Sequence, residues 1–390
     1  MVPFFASPSQ PQEENDDADL SDLCQRCREI DLNLIFNRGS RPRRTISSIL
    51  QTVLCLGQLD GESSCALCRF FASMRRHNPS LQPPTGPYHL RRYDMLCVSG
   101  EGWKWDYKQS FPLWAVEQGS GDEFEDHHPG YYTTPRGSIG SWILPTRSTP
   151  DPSPFLEALP VIDTSVNYPL LRRWIEGCEG HSICQKTPLD FEPTRGRKRP
   201  PIRGINCTTR RIEMIADDDT YLALSYVWGN MSLPAVNGEE NNRSLPATAI
   251  RVVEDAMMVV KELGHRYLWV DQYCIDQNDE KNKEAQIGNM DQIYERAHAT
   301  IVAFSGINSS CGLPGVNGSS RIQQYHFNSS KMNLIGLTPG LTAKVAKASV
   351  WTQRGWTFQE ALLSRRLLIF AQDQAYFLCA SGHWAEGCTP

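Results

Sequence analysis

Long apolar runs are missing from this chain. No stretch approaches the roughly 20 apolar residues that a membrane-spanning helix needs, so no span is expected. An excess of positive charge is missing too. Lys and Arg number 39 against 44 Asp and Glu, a formal net charge of −5, which removes any bulk electrostatic drive toward nucleic acid or anionic lipid. The opening residues, MVPFFASPSQPQEENDDADL, have no basic stretch and turn acidic where a signal peptide would be cut, so the expected location is cytoplasmic. No G-x-G-x-x-G or Walker pattern occurs, and dinucleotide-binding and nucleoside-triphosphatase readings go unsupported.

What is present is the composition of a globular protein: 21% charged and 40% apolar over 390 residues, enough for two or three domains. The thirteen cysteines are an odd count, and Cys274 and Cys379 sit inside apolar runs where a reduced thiol acts as a small hydrophobe. Without a secretory leader the thiols are expected reduced, and clustered ones are better candidates for metal ligands than for disulfides.

Residues 1–20, rich in Pro, Gln and acid, read as a disordered tail. A Cys-rich segment follows over 21–80, an irregular α+β region in which Cys24, Cys27, Cys65 and Cys68 form two CxxC knuckles. That loop geometry wraps a tetrahedral structural zinc, although the gap between knuckles exceeds the common finger spacings. The alternative is four cysteines packed without metal. Residues 81–215 are Pro/Gly-rich, with short strands between turns and an exposed loop at GDEFEDHHPG, where His127 and His128 read as solvated. Within this region LLRRWIEGCEGHSICQ begins as an amphipathic helix ending at Gly177. Cys178, His181 and Cys184 then recur every third residue, as soft ligands or, the reading preferred here, as a helix end with buried thiols. The basic run RGRKRPPIRG reads as a solvated linker rather than a nuclear address.

The third segment, 216–390, alternates strands and helices. YLALSYVWGN gives a strand over 221–227, and Ile250, Val253, Met257, Val260 and Leu263 fall on one face of a helix stopped by Gly264. Tyr267 to Val270 read as a strand buried on both faces, and a helix over 283–297 buries Ile287, Met290, Tyr294 and Ala297. Strands over 299–304 and 366–370 flank a helix over 355–364, and a Gly/Ser/Asn-rich stretch over 305–350 reads as a lid or a variable insertion. The alternation specifies an α/β fold, a parallel open sheet flanked by helices. Ligands of such sheets sit outside the carboxyl ends of the strands, where Asp271 and Asp276 follow the 267–270 strand. Both carboxylates can equally cap backbone amides in a turn.

Three blocks, YLALSYVWG, RYLWVDQYCIDQND with MDQIYERAHATIVAF, and RGWTFQEALLS with RRLLIF, together resemble the fungal heterokaryon-incompatibility (HET) domain over residues 219–380. The resemblance implies a fungal effector of non-self recognition and programmed cell death, with a partner that is another copy of the chain or another incompatibility protein. More remotely, the order of strands and the W-x-x-x-E helix look like the Toll/interleukin-1 receptor (TIR) fold, of flavodoxin-like architecture, whose enzymatic members cleave NAD. Carried over by residue, Trp356 and Glu360 take the places of that motif, four apart on one helical face. NAD would then be the substrate: a carboxylate, Glu360 or else Asp271, stabilises the oxocarbenium-like ribose, and Trp228 or Tyr226 stacks on nicotinamide. The alternatives are an ion pair of Glu360 with Arg354 or Arg365, tryptophans that merely fill core, and an inactive family member.

Overall fold

A computed structural model of the chain describes residues 22–32, 35, 50–74, 87–98, 105–118, 142–146, 163–185, 201–229, 243–276, 279–329, 333–337 and 349–387. The acidic tail, His127, His128 and the basic run at 195–200 lie outside the described residues. The chain divides into two compact units, residues 1–158 with 325–337 and residues 159–324 with 338–390.

The smaller unit is an antiparallel sheet backed by a helix. Its strands β1 (Leu50–Gly57), β2 (Tyr88–Val98), β3 (Trp105–Gln118) and β4 (Trp142–Thr146) are joined by β10 (His326–Phe327) and β11 (Asn333–Leu337), in the order β1-β2-β3-β4-β11-β10. The helix Ala66–Ser73 forms because Leu67, Phe70, Phe71 and Met74 repeat at helical spacing and bury one face. That face shares a core with Leu90, Val116, Ile143 and Phe327. The region expected to be irregular thus has regular sheet order, and the stretch over 305–350, expected as one insertion, supplies two of the strands.

The larger unit is built on eight strands in the order β14-β13-β12-β9-β7-β8-β5-β6. They are β5 (Arg203–Asn206), β6 (Ile212–Met214), β7 (Tyr221–Ser225), β8 (Tyr267–Trp269), β9 (Ala299–Ala303), β12 (Arg366–Phe370), β13 (Ala375–Cys379) and β14 (Gly382–Ala385). The central four, β12, β9, β7 and β8, pair in parallel, and every residue of each is buried, the signature of strands covered on both faces. The flanks are antiparallel: β13 and β14 on one side, β5 and β6 on the other. The sheet is therefore mixed rather than parallel throughout, because hairpins extend both edges of the parallel core.

The turn after β5 packs within this unit. Arg210 makes a bidentate pair with Glu254 at 2.6 and 3.0 Å, and Glu254 also accepts the Ala249 amide near the start of the helix Arg251–Glu262. That helix buries Ile250, Val253, Met257, Val260 and Leu263 as its periodicity requires, and Gly264, at φ +81°, turns the chain out of it. Two expected helices differ. The segment over 283–297 forms two, Glu280–Ile287 and Met290–Arg296, broken at Gly288 and Asn289, which leaves Ile287 exposed. The helix Tyr168–Glu179 runs through Gly177, since a single glycine costs only about 1 kcal/mol in a helix whose Leu171, Trp174, Ile175 and Cys178 are buried.

No helix among the described residues is long and apolar enough to cross a membrane. Two buried carboxylates hold the loops of the larger unit. Asp255 accepts from the Leu313 amide at 2.8 Å and the Ser319 hydroxyl at 2.7 Å. Glu386 pairs with Arg321 at 2.6 Å and accepts the amides of Ala375 and Asn167, so it fastens three sequence-distant segments. Replacing one partner leaves the other charge buried and uncompensated. Glu386→Gln is expected to destabilise the larger unit by about 3 kcal/mol, read as a lower denaturation midpoint, whereas the exposed pair Lys283–Glu280 should contribute under about 1 kcal/mol.

Candidate functional site

Strand order places the site. From β7 the chain crosses to β8 on one side, whereas β9 and β12 lie on the other, so the winding reverses between β7 and β9. The carboxyl ends of strands at such a reversal are where open α/β sheets leave a crevice. β7 ends at Ser225 and runs on through Tyr226, Val227 and Trp228 to Gly229. Gly229 adopts φ +71°, and a Cβ there would lie 2.6 Å from the Asn308 Cβ, so the turn requires glycine on both counts.

Glu360 meets this strand end. It lies in the helix Gly355–Leu363, where Thr357, Glu360 and Leu363 recur every third residue as the buried face. Only 6% of Glu360 is exposed. The Ser225 hydroxyl donates to its Oε2, and the Trp351 indole Nε1 donates to the Ser225 oxygen at 2.8 Å. Burial pushes the Glu360 carboxyl up to about 8, helped by the charge of Asp271, while hydrogen bonds from Ser225 and Tyr294 and the charge of Arg354 pull the other way. Desolvation wins, and at neutral pH the group is a neutral acid.

Asp271 follows β8 and opens the one-turn helix Asp271–Cys274. One oxygen accepts the Gln272 amide at 2.7 Å, and the other accepts the Trp228 indole N–H at 2.9 Å. Burial raises this carboxyl to about 6, less far than Glu360. The two acids are thereby separated: near pH 7 Asp271 is ionised and Glu360 protonated.

The other expected residues sort by exposure. Trp228 is 36% exposed beside Asp271 and keeps its ring within reach of a ligand. Tyr226 is buried with its hydroxyl on Gln272, which removes it as a stacking platform. Asp276 sits 3.5 Å from Arg243 and has a structural partner. Trp356 begins the helix and is 56% exposed, so four-residue spacing does not bring its ring into the buried cluster with Glu360. Trp269 fills core, edge-on to Tyr294 at 5.5 Å. Ser225, Trp351 and Tyr294 carry polar contacts that spacing alone did not single out. The first two stand 126 residues apart.

Among the described residues, two side-chain clusters bring metal-ligating atoms close together. Cys24, Cys27, Cys65 and Cys68 bring their sulfurs within 4.8 Å of one another, with Cys68 at 3.8 Å from Cys24 and 3.5 Å from Cys27. Thiolates about 2.3 Å from a tetrahedral zinc lie about 3.8 Å apart, so the set fits without large movement. Cys178, His181, Cys184 and Cys379 form the second cluster.

Comparison with known proteins agrees with the resemblance read from the three blocks. Residues 221–360 match the family model described as Heterokaryon incompatibility protein (HET). A curated Neurospora crassa protein, "Heterokaryon incompatibility protein 6, OR allele", is 29% identical over 119 residues. That alignment covers 28% of this chain and 16% of the relative, so the chain spans only a small part of that protein's length. No solved structure matches.

The raised Glu360 carboxyl has a thermodynamic consequence. An acid whose folded value exceeds its unfolded value stabilises the fold while protonated, fully below about pH 4.5, and loses that contribution as pH rises to about 8. His298, pushed down by burial to about 4, acts with the opposite sign, but only below its ordinary 6.5. Between pH 6.5 and 8 the wild type should therefore lose about 2 kcal/mol from this group. Glu360→Gln should flatten that interval, as read by denaturant unfolding at the two pH values.

Proposed function

Residues 221–360 are a heterokaryon incompatibility (HET) domain, and from that premise we propose that the chain is an effector of fungal non-self recognition and programmed cell death that acts by self-association. The observation that carries the reading is the outer face of the helix Gly355–Leu363. Phe358 and Leu362, four apart, are 64% and 65% exposed, with Trp356 beside them at the helix start. Large apolar groups gathered on one short helix favour burial against a second surface. The partner is another copy of the chain or a second incompatibility protein. The structural zinc proposed at Cys24, Cys27, Cys65 and Cys68 serves the smaller unit's fold.

A second reading, favoured by the split between Asp271 and Glu360, is hydrolysis of NAD by a TIR-like site. The nicotinamide–ribose bond breaks with its electron pair leaving on the ring nitrogen, and water adds to the ribose carbon and gives up a proton. With Glu360 neutral below about pH 8, the carboxylate facing the developing cation at neutral pH is Asp271, and Trp228 is the ring available for stacking.

Expression in a fungal host and light scattering of the purified chain separate the two. Self-association predicts concentration-dependent assemblies and loss of viability for the wild type. Phe358→Asp with Leu362→Asp should stay monomeric and kill at least about tenfold less, on the scale of a hot-spot loss of 1.4 kcal/mol or more. A wild type that kills while monomeric at every concentration would reject the first reading. Nicotinamide release abolished in both Asp271→Asn and Glu360→Ala supports the second, and a Glu360→Ala chain that still kills removes catalysis by that residue from the cause of death.

A further inference from the structure

The second thiol cluster lies in the larger unit and joins three elements. Cys178 lies in the last turn of the helix Tyr168–Glu179, and His181 and Cys184 follow on the turn and the short helix Ser182–Gln185. The backbone closes that turn locally, with the His181 amide on the Cys178 carbonyl at 3.0 Å and the Cys184 amide on the His181 carbonyl at 3.1 Å. The fourth member, Cys379, is the last residue of β13, beside the tight turn into β14 and 198 positions from His181. We propose that Cys178, His181, Cys184 and Cys379 bind a structural zinc ion that fastens this helix end to the antiparallel edge of the sheet.

Five observations converge on it. All four ligand atoms lie within 4.8 Å of one another. The His181 Nδ1 faces the sulfurs of Cys184 and Cys379 at 3.7 and 3.8 Å, close to the edge of about 3.5–3.8 Å that a tetrahedral zinc sets between nitrogen and sulfur ligands. The imidazole is held in that orientation by stacking on Trp384, 14° from parallel. The neighbouring charge also fits. Arg366 is buried, its Nε donates to the Cys178 sulfur at 3.2 Å, and its Nη1 donates to the His298 carbonyl. Among the described residues it has no carboxylate within ion-pair distance. Zinc binding releases three thiol protons and leaves a complex of charge −1, which the guanidinium neutralises as an outer-shell partner. A surface cavity lined by Cys184, Cys379, Leu362 and Leu378 gives the ion a route in.

The test is metal analysis of the full chain purified without chelator. Cys379→Ser and Cys184→Ser should each hold one zinc fewer per chain than wild type, and Cys311→Ser, an exposed thiol outside both clusters, should hold the same. If the serine variants fail to fold, His181→Cys keeps four ligands. After replacement of zinc by cobalt, its visible d–d bands should move to longer wavelength than those of the wild type, as nitrogen gives way to sulfur. Equal zinc in wild type and Cys379→Ser, or cobalt bands unmoved by His181→Cys, would overturn the site. So would a thiol titration of unreduced, denatured protein that is two short in wild type, restored by reductant, and not short in Cys379→Ser or Cys184→Ser, which marks a disulfide within this cluster in place of the metal.

Discussion

The larger unit depends on the parallel pairing of β7 with both β8 and β9. Tyr221, Leu222 and Ala223 register with Tyr267, Leu268 and Trp269, while Leu222 to Ser225 register with Ala299 to Val302. A strand shared in this way has no free edge and no solvated face, so all five of its residues must be able to be buried, and all five are. The pairing also decides where chemistry can happen. Because β8 and β9 lie on opposite sides of β7, their crossovers diverge at its carboxyl end, the place where open α/β sheets leave a crevice. Ser225, Trp228 and Asp271 hold their positions through that divergence.

A buried carboxyl at such a place is expensive, and the structure compensates it only in part. Ser225 and Tyr294 supply hydrogen bonds to Glu360, and Arg354 adds a favourable field, but the charge of Asp271 opposes it. Protonation is the remaining way to remove the cost, which is why the group titrates near 8 rather than near 4.5. Had Glu360 been a simple helix-fixing ion pair, a guanidinium would have held it low. The hydrogen bond from Trp351 to Ser225 extends the network by one more donor and aligns the hydroxyl on the carboxyl, which makes the arrangement one connected polar unit inside an apolar shell.

Much of this was readable before any coordinates, and the part that was not has a physical pattern. Apolar runs with no alternation gave the central strands, and 3.6-residue periodicity gave the helix Arg251–Glu262 with its glycine stop, because each signal is local. The hairpin of β5 and β6 escaped because a basic, proline-bearing run beside it reads as linker, and its pairing with β8 joins positions about sixty apart. The strands β10 and β11 escaped for the same reason: Asn333 to Leu337 pair with residues 142–146, nearly two hundred positions earlier. The site was half legible. Glu360, Asp271 and Trp228 stand in the recognisable blocks, but the exclusion of Tyr226 and Trp356 and the arrival of Trp351 are matters of burial, which spacing does not encode. Cys379 is the same case, a thiol inside an apolar run whose ligand company is supplied by a helix end far upstream.

The helix Gly355–Leu363 joins the two readings of the domain on one rigid element. Its inner face carries Glu360 to Ser225, and its outer face presents Phe358 and Leu362, all within nine residues. Thr357 anchors its first turn through hydrogen bonds to the Trp351 and Arg354 carbonyls, and Ser364 closes its last turn on the Glu360 carbonyl. A helix held at both ends cannot shift its outer residues without shifting its inner ones. The buried acid and the exposed apolar pair are thus positioned by the same two anchors, and a substitution that loosens Thr357 or Ser364 acts on both faces of the helix at once.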